Sequence, residues 1–86
     1  MQTLRLGSTG PDVQQVQSLL NRIGYNAGPV DGSFGQQTRL AVISFQRDSG
    51  LYPDGVVGPS TWNAMNRIVE QHQQRKVFFT IQVSAV

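Results

Sequence analysis

The apolar residues of this chain fall into three groups with helical spacing. The first group recurs every three or four positions after Pro11 and comprises Val13, Val16, Leu19, Leu20 and Ile23. Such spacing places apolar side chains on one face of a helix. The polar residues between them, Gln17 included, are then expected on the solvent face. Gly24 follows the last apolar position, as glycine commonly does just beyond a helix C-terminus. The pattern predicts a first helix from about Pro11 to Gly24.

Two further groups have the same period. Their apolar positions are Ala41, Val42 and Phe45 in the second group, and Trp62, Met65, Ile68 and Val69 in the third. Gly50 closes the second group, and glycine- and proline-rich loops at 24–35 and 50–58 connect the three. The expected fold class is all-α: a compact three-helix bundle with Gly/Pro/Asp-rich connecting loops.

The last part of the chain has a different character. A polar stretch at 73–76 precedes residues 77–86, which are rich in β-branched and aromatic side chains and partly alternate, as strands do. We therefore expect a domain over 1–72, followed by a linker and strand-like tail over 73–86. The tail either begins a following domain, which we favour, or pairs with a second copy as an edge strand.

An internal repeat connects the two loops. Residues 31–41 align without a gap with residues 54–64, and both copies contain the order Asp-Gly-x-x-Gly-x-x-Thr. Phe34 in the first copy matches Val57 in the second as an apolar position. Asp-Gly is a turn pair, because Asp bonds nearby backbone and Gly supplies positive φ. Each copy is predicted to form a turn that leads into a helix.

Glycine precedes all three helices. Gly10 before Pro11, Gly35, and Gly58 before Pro59 are predicted N-caps, since proline is favoured at the first helical position. Thr38 and Thr61 would then lie at N3. A hydroxyl there can reach back to the backbone at the helix start, as in a capping box.

Composition and charge exclude several classes of function. Seven Lys and Arg residues stand against five Asp and Glu residues, and they are scattered rather than clustered. Nucleic-acid binding usually needs a basic face, so we expect no nucleic-acid partner. There is no cysteine for a disulfide or a thiolate metal site. No stretch resembles a signal peptide or approaches transmembrane length, so we expect no membrane insertion.

Catalytic chemistry is not expected in these 86 residues. His72 is the only histidine, which is too few for a zinc site, and we expect no metal or cofactor. Asp31 and Asp54 could suggest the carboxylate pair of a glycosidase. Because both occupy the same turn of the repeat, we favour a structural role for each.

The residues in this order resemble the three-helix peptidoglycan-binding domain. The resemblance covers roughly residues 4–67. It is carried by Leu6, Gly7, Gly10, Val13, Val16, Gln17, Leu20, Gly24, Tyr25, Asp31, Gly32, Phe34, Gly35, Thr38, Ala41, Val42, Phe45, Gln46, Gly50, Leu51, Asp54, Gly55, Val57, Gly58, Thr61 and Trp62.

The resemblance implies a non-catalytic module that binds peptidoglycan and targets an attached cell-wall amidase, peptidase or glycosidase to its substrate. It implies an extracytoplasmic location, with the export signal supplied by a longer parent. The alternative is a structural or regulatory domain that packs on its own hydrolase without binding the wall independently.

Candidate ligand contacts come from the first loop. Peptidoglycan presents N-acetylated sugars and short peptides that end in carboxylates, so a site needs an aromatic surface, hydrogen-bonding groups and a cation. The candidates are Tyr25, Asn26, Asp31, Ser33 and Arg39. Tyr25 is equally compatible with covering the end of the first helix. Phe34 and Trp62 are expected in the core, and Gln46 is expected to bond a loop backbone from within the fold.

Overall fold

Three helices make up the computed structural model, which describes residues 2–69. Helix α1 spans Pro11–Arg22, α2 spans Gln36–Asp48, and α3 runs from residue 59 to the last described residue. The predicted three-helix, all-α fold is confirmed over this range. His72, the domain boundary after residue 72 and the strand-like tail over 73–86 lie outside the described residues.

Glycine begins and ends α1 and α2 as predicted. Gly10 is the N-cap of α1 with Pro11 behind it, and Gly35 is the N-cap of α2. After the two C-termini the chain turns through Gly24 and Gly50, whose φ angles are 99° and 74°. These left-handed conformations favour glycine because it has no Cβ to clash with the following carbonyl.

The core is a single apolar cluster between the three helices and the loops. Its buried members are Leu4, Val13, Val16, Leu19, Leu20, Ala27, Phe34, Ala41, Val42, Phe45, Val57, Trp62, Met65 and Val69. The apolar positions of all three helical patterns contribute to it. Phe34 and Trp62 are 1% and 2% exposed, so the prediction that both belong to the core is confirmed.

The segment before α1 ties the two repeat loops to the body of the fold. Leu4 pairs with Val57 through two backbone hydrogen bonds of 3.0 and 2.8 Å. The Gly7 N–H donates to the carbonyl of Phe34, and the Phe34 N–H donates to the carbonyl of Ser8, both at 2.9 Å. Thus each apolar repeat position, Phe34 or Val57, is held by main-chain bonds while its side chain enters the core.

Candidate functional site

The first copy of the repeat forms a tight Asp turn. Asp31 Oδ1 accepts hydrogen bonds from the Ser33 N–H at 2.9 Å and from Gln17 Nε2 at 3.0 Å. Gly32 follows with φ 76° and donates its N–H to Gln17 Oε1 at 3.0 Å. The backbone bond from Ser33, helped by the Gln17 amide, holds the pKa of the Asp31 carboxyl below its usual range. The predicted turn role of Asp31 is confirmed.

Gln17 is buried at the centre of this arrangement, 1% exposed, and this corrects the expectation that it faces solvent. Besides Asp31, its Nε2 atom donates to the Ser33 carbonyl at 3.0 Å and to Thr38 Oγ1 at 3.1 Å. A buried amide is tolerated when its donors and acceptor are all bonded, as they are here. Gln17 therefore fastens the turn and the start of α2 to α1.

The second copy repeats the same set of bonds around Gln46. Its Nε2 donates to Asp54 Oδ1, the Val56 carbonyl and Thr61 Oγ1 at 3.0, 2.9 and 3.1 Å, and its Oε1 accepts the Gly55 N–H at 2.9 Å. This confirms the prediction that Gln46 bonds a loop backbone from inside the fold. The Val56 N–H is the main cause that keeps the pKa of Asp54 low, against the opposing effect of desolvation.

The two threonines do not cap their helices, contrary to the capping-box prediction. The N-terminus of α2 has no side-chain cap. Thr38 Oγ1 instead accepts from Gln17 and donates to the Ala27 carbonyl at 2.9 Å, while Thr61 Oγ1 accepts from Gln46. The hydroxyls turn inward because each is needed to satisfy a buried glutamine amide.

The copies differ in the connection between glutamine and turn. Fourteen residues separate Gln17 from Asp31, whereas eight separate Gln46 from Asp54. The longer first connection folds back over its own glutamine and threonine. The shorter second connection leaves the corresponding place open.

In the first copy, Ala27 closes this place. Its side chain is 1% exposed, and its N–H donates to Asn21 Oδ1 at 2.8 Å. Asn21 Nδ2 also donates to the Gly28 carbonyl at 2.9 Å. A Cβ added to Gly28 would lie 3.1 Å from Gln37 Oε1, so this backbone lies directly against the first turn of α2.

In the second copy, a groove of about 300 Å³ occupies the corresponding place. It is lined by Gln46, Leu51, Tyr52, Asp54, Val56, Gly58, Pro59, Ser60 and Thr61. The side chain of Tyr52 is 82% exposed. The sequence reasoning did not select these residues for binding. The signal that could have found them is the shorter spacing between Gly50 and Asp54 than between Gly24 and Asp31.

Two predicted ligand contacts, Tyr25 and Asn26, make bonds within the fold, Tyr25 to α2 and Asn26 to its own loop. The Tyr25 ring meets the edge of Phe45 at a centroid distance of 5.6 Å and an angle of 90°. Its hydroxyl donates to Asp48 Oδ2 at 2.7 Å, and this bond, aided by burial and the Asp48 charge, raises the pKa of Tyr25. Asn26 is exposed, and its Oδ1 accepts the Gly28 N–H at 3.2 Å.

The other three candidates are not all close to these. Asp31 and Ser33 are exposed neighbours in the first turn, whereas the Arg39 stem lies against Gly55 of the second turn, 3.1 Å from where a Cβ would be. The structure thus brings Asp31 and Ser33 together and places Arg39 beside the second copy. Ligand contact by all five residues remains a prediction.

Residues 2–69 contain no cluster of three or more His, Cys, Asp or Glu side chains that could hold a metal ion. Within the same range, no helix has the length and apolar character needed to cross a membrane.

Comparison with known proteins relates this arrangement to cell-wall proteins. The chain is 45% identical over 56 residues to an N-acetylmuramoyl-L-alanine amidase, CwlM, of Mycobacterium tuberculosis, covering 65% of this chain and 14% of the amidase. It is 41% identical over 58 residues to a spore cortex-lytic enzyme of Halalkalibacterium halodurans, covering 67% of this chain and 18% of that enzyme. The chain therefore spans less than a fifth of either relative.

Among solved structures, the SleB N-terminal domain superposes with a TM-score of 0.76 and 37% identity. The match covers 78% of this chain and 92% of that one. Residues 9–65 match the family model described as "Putative peptidoglycan binding domain". This range contains α1, α2, both Asp-Gly turns and the groove. The chain belongs to the peptidoglycan-binding domain family.

Proposed function

We propose that this chain is a non-catalytic module that binds bacterial peptidoglycan and holds an attached cell-wall hydrolase on its substrate. The observation that carries the proposal is the family match over residues 9–65. Two relatives are, by name, an amidase and a cortex-lytic enzyme, and the matching region is a small part of each. That proportion is typical of a module joined to a larger enzyme. Its place of action would be the cell wall, outside the cytoplasm.

The bonding of the two repeat carboxylates fits a structural role better than that of a general acid. Asp31 and Asp54 each accept a backbone N–H and a glutamine amide, and their pKa values are lowered. A general acid must hold its proton near working pH, which usually requires a raised pKa. Neither carboxyl meets that requirement. Both act as hydrogen-bond acceptors in the turns.

The predicted contacts of the first loop form part of the proposal. Asp31, Ser33 and Asn26 present exposed polar groups to a ligand, and Tyr25 presents the part of its ring that Phe45 leaves uncovered. Arg39, half-buried beside the second turn, would supply a cation to a stem-peptide carboxylate.

Sedimentation with insoluble wall tests the proposal directly. The 86-residue chain at micromolar concentration and low salt should pellet with purified peptidoglycan and release no soluble muropeptides. Insoluble cellulose serves as the control matrix and should leave the chain in the supernatant. Recovery of the whole chain in the supernatant with both matrices would overturn the proposal.

An alternative function is a structural domain that packs on its own hydrolase. Leu6, Val30 and Leu40 are 54%, 48% and 52% exposed and would offer apolar surface for such a contact. This alternative requires that deleting the module from its parent enzyme changes hydrolysis of small soluble wall fragments. Targeting alone requires that only hydrolysis of insoluble wall changes.

A further inference from the structure

In the first repeat, Ala27 occupies the place that corresponds to the groove of the second repeat. The groups that Ala27 presents there therefore indicate what kind of ligand the groove could bind. Ala27 places three groups over the buried Gln17–Thr38 pair: a carbonyl that accepts from Thr38, a buried methyl group, and an N–H that donates to Asn21. The Ala27 main chain fills this place and accepts the proton of the Thr38 hydroxyl, while the oxygen of that hydroxyl accepts from the Gln17 side chain.

The second repeat has the equivalent glutamine and threonine pair, Gln46 and Thr61, but within the described part of the chain no residue lies over it as Ala27 does in the first. Thr61 and Ser60, which align with Thr38 and Gln37 of the first copy, line the open groove. Thr61 is 4% exposed, and its oxygen accepts from Gln46 at 3.1 Å. Within residues 2–69 its proton has no acceptor, although a buried hydroxyl donor is costly to leave unpaired.

We propose that the groove of the second repeat binds a small acylamino group of peptidoglycan, whose carbonyl oxygen accepts a hydrogen bond from Thr61 as Ala27 does from Thr38. The inference rests on the proposed function and specifies which part of the wall polymer is bound. Two wall components carry a methyl, a carbonyl and an N–H within a few bonds. They are the N-acetyl groups of the sugars and the alanines of the stem peptides.

The remaining walls of the groove fit this chemistry. Leu51, Val56 and Pro59 supply apolar surface for a methyl group, and the carboxylate of Asp54 and the hydroxyl of Ser60 can accept a ligand N–H. The exposed ring of Tyr52 extends the surface for the adjoining part of the polymer. A volume of about 300 Å³ lies at the lower end of ligand pockets, so the groove has room for one such group together with part of the sugar or peptide that carries it.

Four variants of the 86-residue chain test the proposal. Thr61→Val removes the hydroxyl at nearly constant shape, and Thr61→Ser retains it. Tyr52→Ala removes an exposed ring and leaves the buried bonds intact, so it stays informative if Thr61→Val folds poorly. Thr38→Val is the matched control, because it removes the equivalent hydroxyl where Ala27 already covers it. Circular dichroism at the assay temperature verifies that each variant is folded.

Sedimentation with purified peptidoglycan supplies the affinities. Losing one hydrogen bond to a neutral group should weaken binding by about three- to tenfold in Thr61→Val, with Thr61→Ser within about twofold of the parent. Tyr52→Ala should bind less tightly than the parent, and Thr38→Val should bind as the parent does. Parent-like binding by both Thr61→Val and Tyr52→Ala would overturn the groove assignment.

Soluble competitors distinguish the two sources of the acylamino group. One arm uses an N-acetylglucosamine trimer and the other an alanine-containing stem peptide, each added at millimolar concentration to bound chain. Displacement by either supports the proposal and identifies the source. Displacement by neither overturns it.

Failure of the proposed function has a different signature. In that case the parent chain itself does not sediment with wall, whatever its variants do.

Discussion

The two copies of the repeat share one set of hydrogen bonds and differ in what covers it. In both, a buried glutamine joins an Asp turn to the threonine of the next helix, with corresponding distances that differ by at most 0.1 Å. In the first copy the chain folds back so that Ala27 closes the site. In the second, a connection six residues shorter, eight instead of fourteen, leaves a groove.

This difference separates two tasks that one motif can perform. The bonds of the glutamine hold the fold together, and they need to be complete in both copies because a buried amide without partners destabilises the folded state. The covering residue is not needed for those bonds. One connection can therefore be shorter, so that the glutamine and threonine pair borders an open groove, while the Asp turn keeps all of its hydrogen bonds.

Replacing the buried glutamines should have the largest effect on stability. Gln17→Ala and Gln46→Ala each leave a buried glycine N–H without its acceptor and remove three donor contacts, so each should lower the free energy of unfolding by about 3 kcal/mol. Urea unfolding measures both. Gln15→Ala, at an exposed position on α1, is the matched control and should change stability by less than about 0.5 kcal/mol.

Gln17→Ala should lower the free energy of unfolding more than Gln46→Ala does. The reason is that Gln17→Ala also removes a hydrogen bond to the Thr38 hydroxyl, which holds Ala27 in place. A smaller cost for Gln17→Ala would show that the covering segment is held by Asn21 alone.

Alanine at the turn glycines should lower stability by a smaller amount than the glutamine substitutions, and by different amounts in the two copies. Gly32 and Gly55 have φ angles of 76° and 75°, a conformation that costs a residue with a side chain about 1–2 kcal/mol. At Gly32 the new Cβ would also lie 3.3 Å from the Gly10 carbonyl oxygen, which is backbone, whereas at Gly55 its close neighbours belong to Arg39 and Ile43 side chains.

Gly32→Ala should therefore be the more destabilising of the two in the same urea measurement. Gly35→Ala is the control for the added Cβ alone, because its φ of −97° suits any residue and no atom lies within 4 Å of that Cβ. Any loss of stability there is the cost of alanine at the N-cap of α2. Equal losses of unfolding free energy in Gly32→Ala and Gly55→Ala would mean that the backbone at Gly10 moves away from an added Cβ as easily as the Arg39 and Ile43 side chains do.

Removing the threonine hydroxyls should produce a smaller contrast. Thr38 makes two hydrogen bonds and Thr61 makes one with the described residues, so Thr38→Val should be the more destabilising by about 1 kcal/mol. Thermal unfolding without ligand measures this difference. The reverse order would show that the Thr61 proton already has an internal partner of similar strength, which would count against an open groove.

Acid should have the smallest effect, and it should act on both copies. The folded pKa values of Asp31 and Asp54 lie below their unfolded values. Their contribution is therefore complete above the unfolded pKa, about 3.9, and is lost as pH falls through the folded pKa.

Urea midpoints should accordingly decrease between pH 5 and pH 2. The decrease should be smaller in Asp31→Asn and Asp54→Asn, and smallest in the double variant. An unchanged acid dependence in the double variant would assign it to other carboxyls.

Much of the architecture is readable from local patterns. Helical spacing identified α1, α2 and α3, and glycine marked both ends of α1 and α2, because these features depend on neighbours within one or two turns. The repeat located both Asp turns for the same reason. Gln17 was misplaced, since its position on the predicted polar face of α1 contains no sign of the turn that it bonds fourteen residues later.

The sequence by itself determined the family, the three helices and the two Asp turns. Each of these depends on residue identity at short spacing. Only the tertiary structure decided which polar side chains are buried, that Thr38 and Thr61 bond inward instead of capping, and that Arg39 lies beside the second turn rather than the first. It also decided that the second repeat is the open one. The physical reason is that burial depends on how segments distant in sequence pack together. A change in loop length alters this packing without changing the residues of the motif.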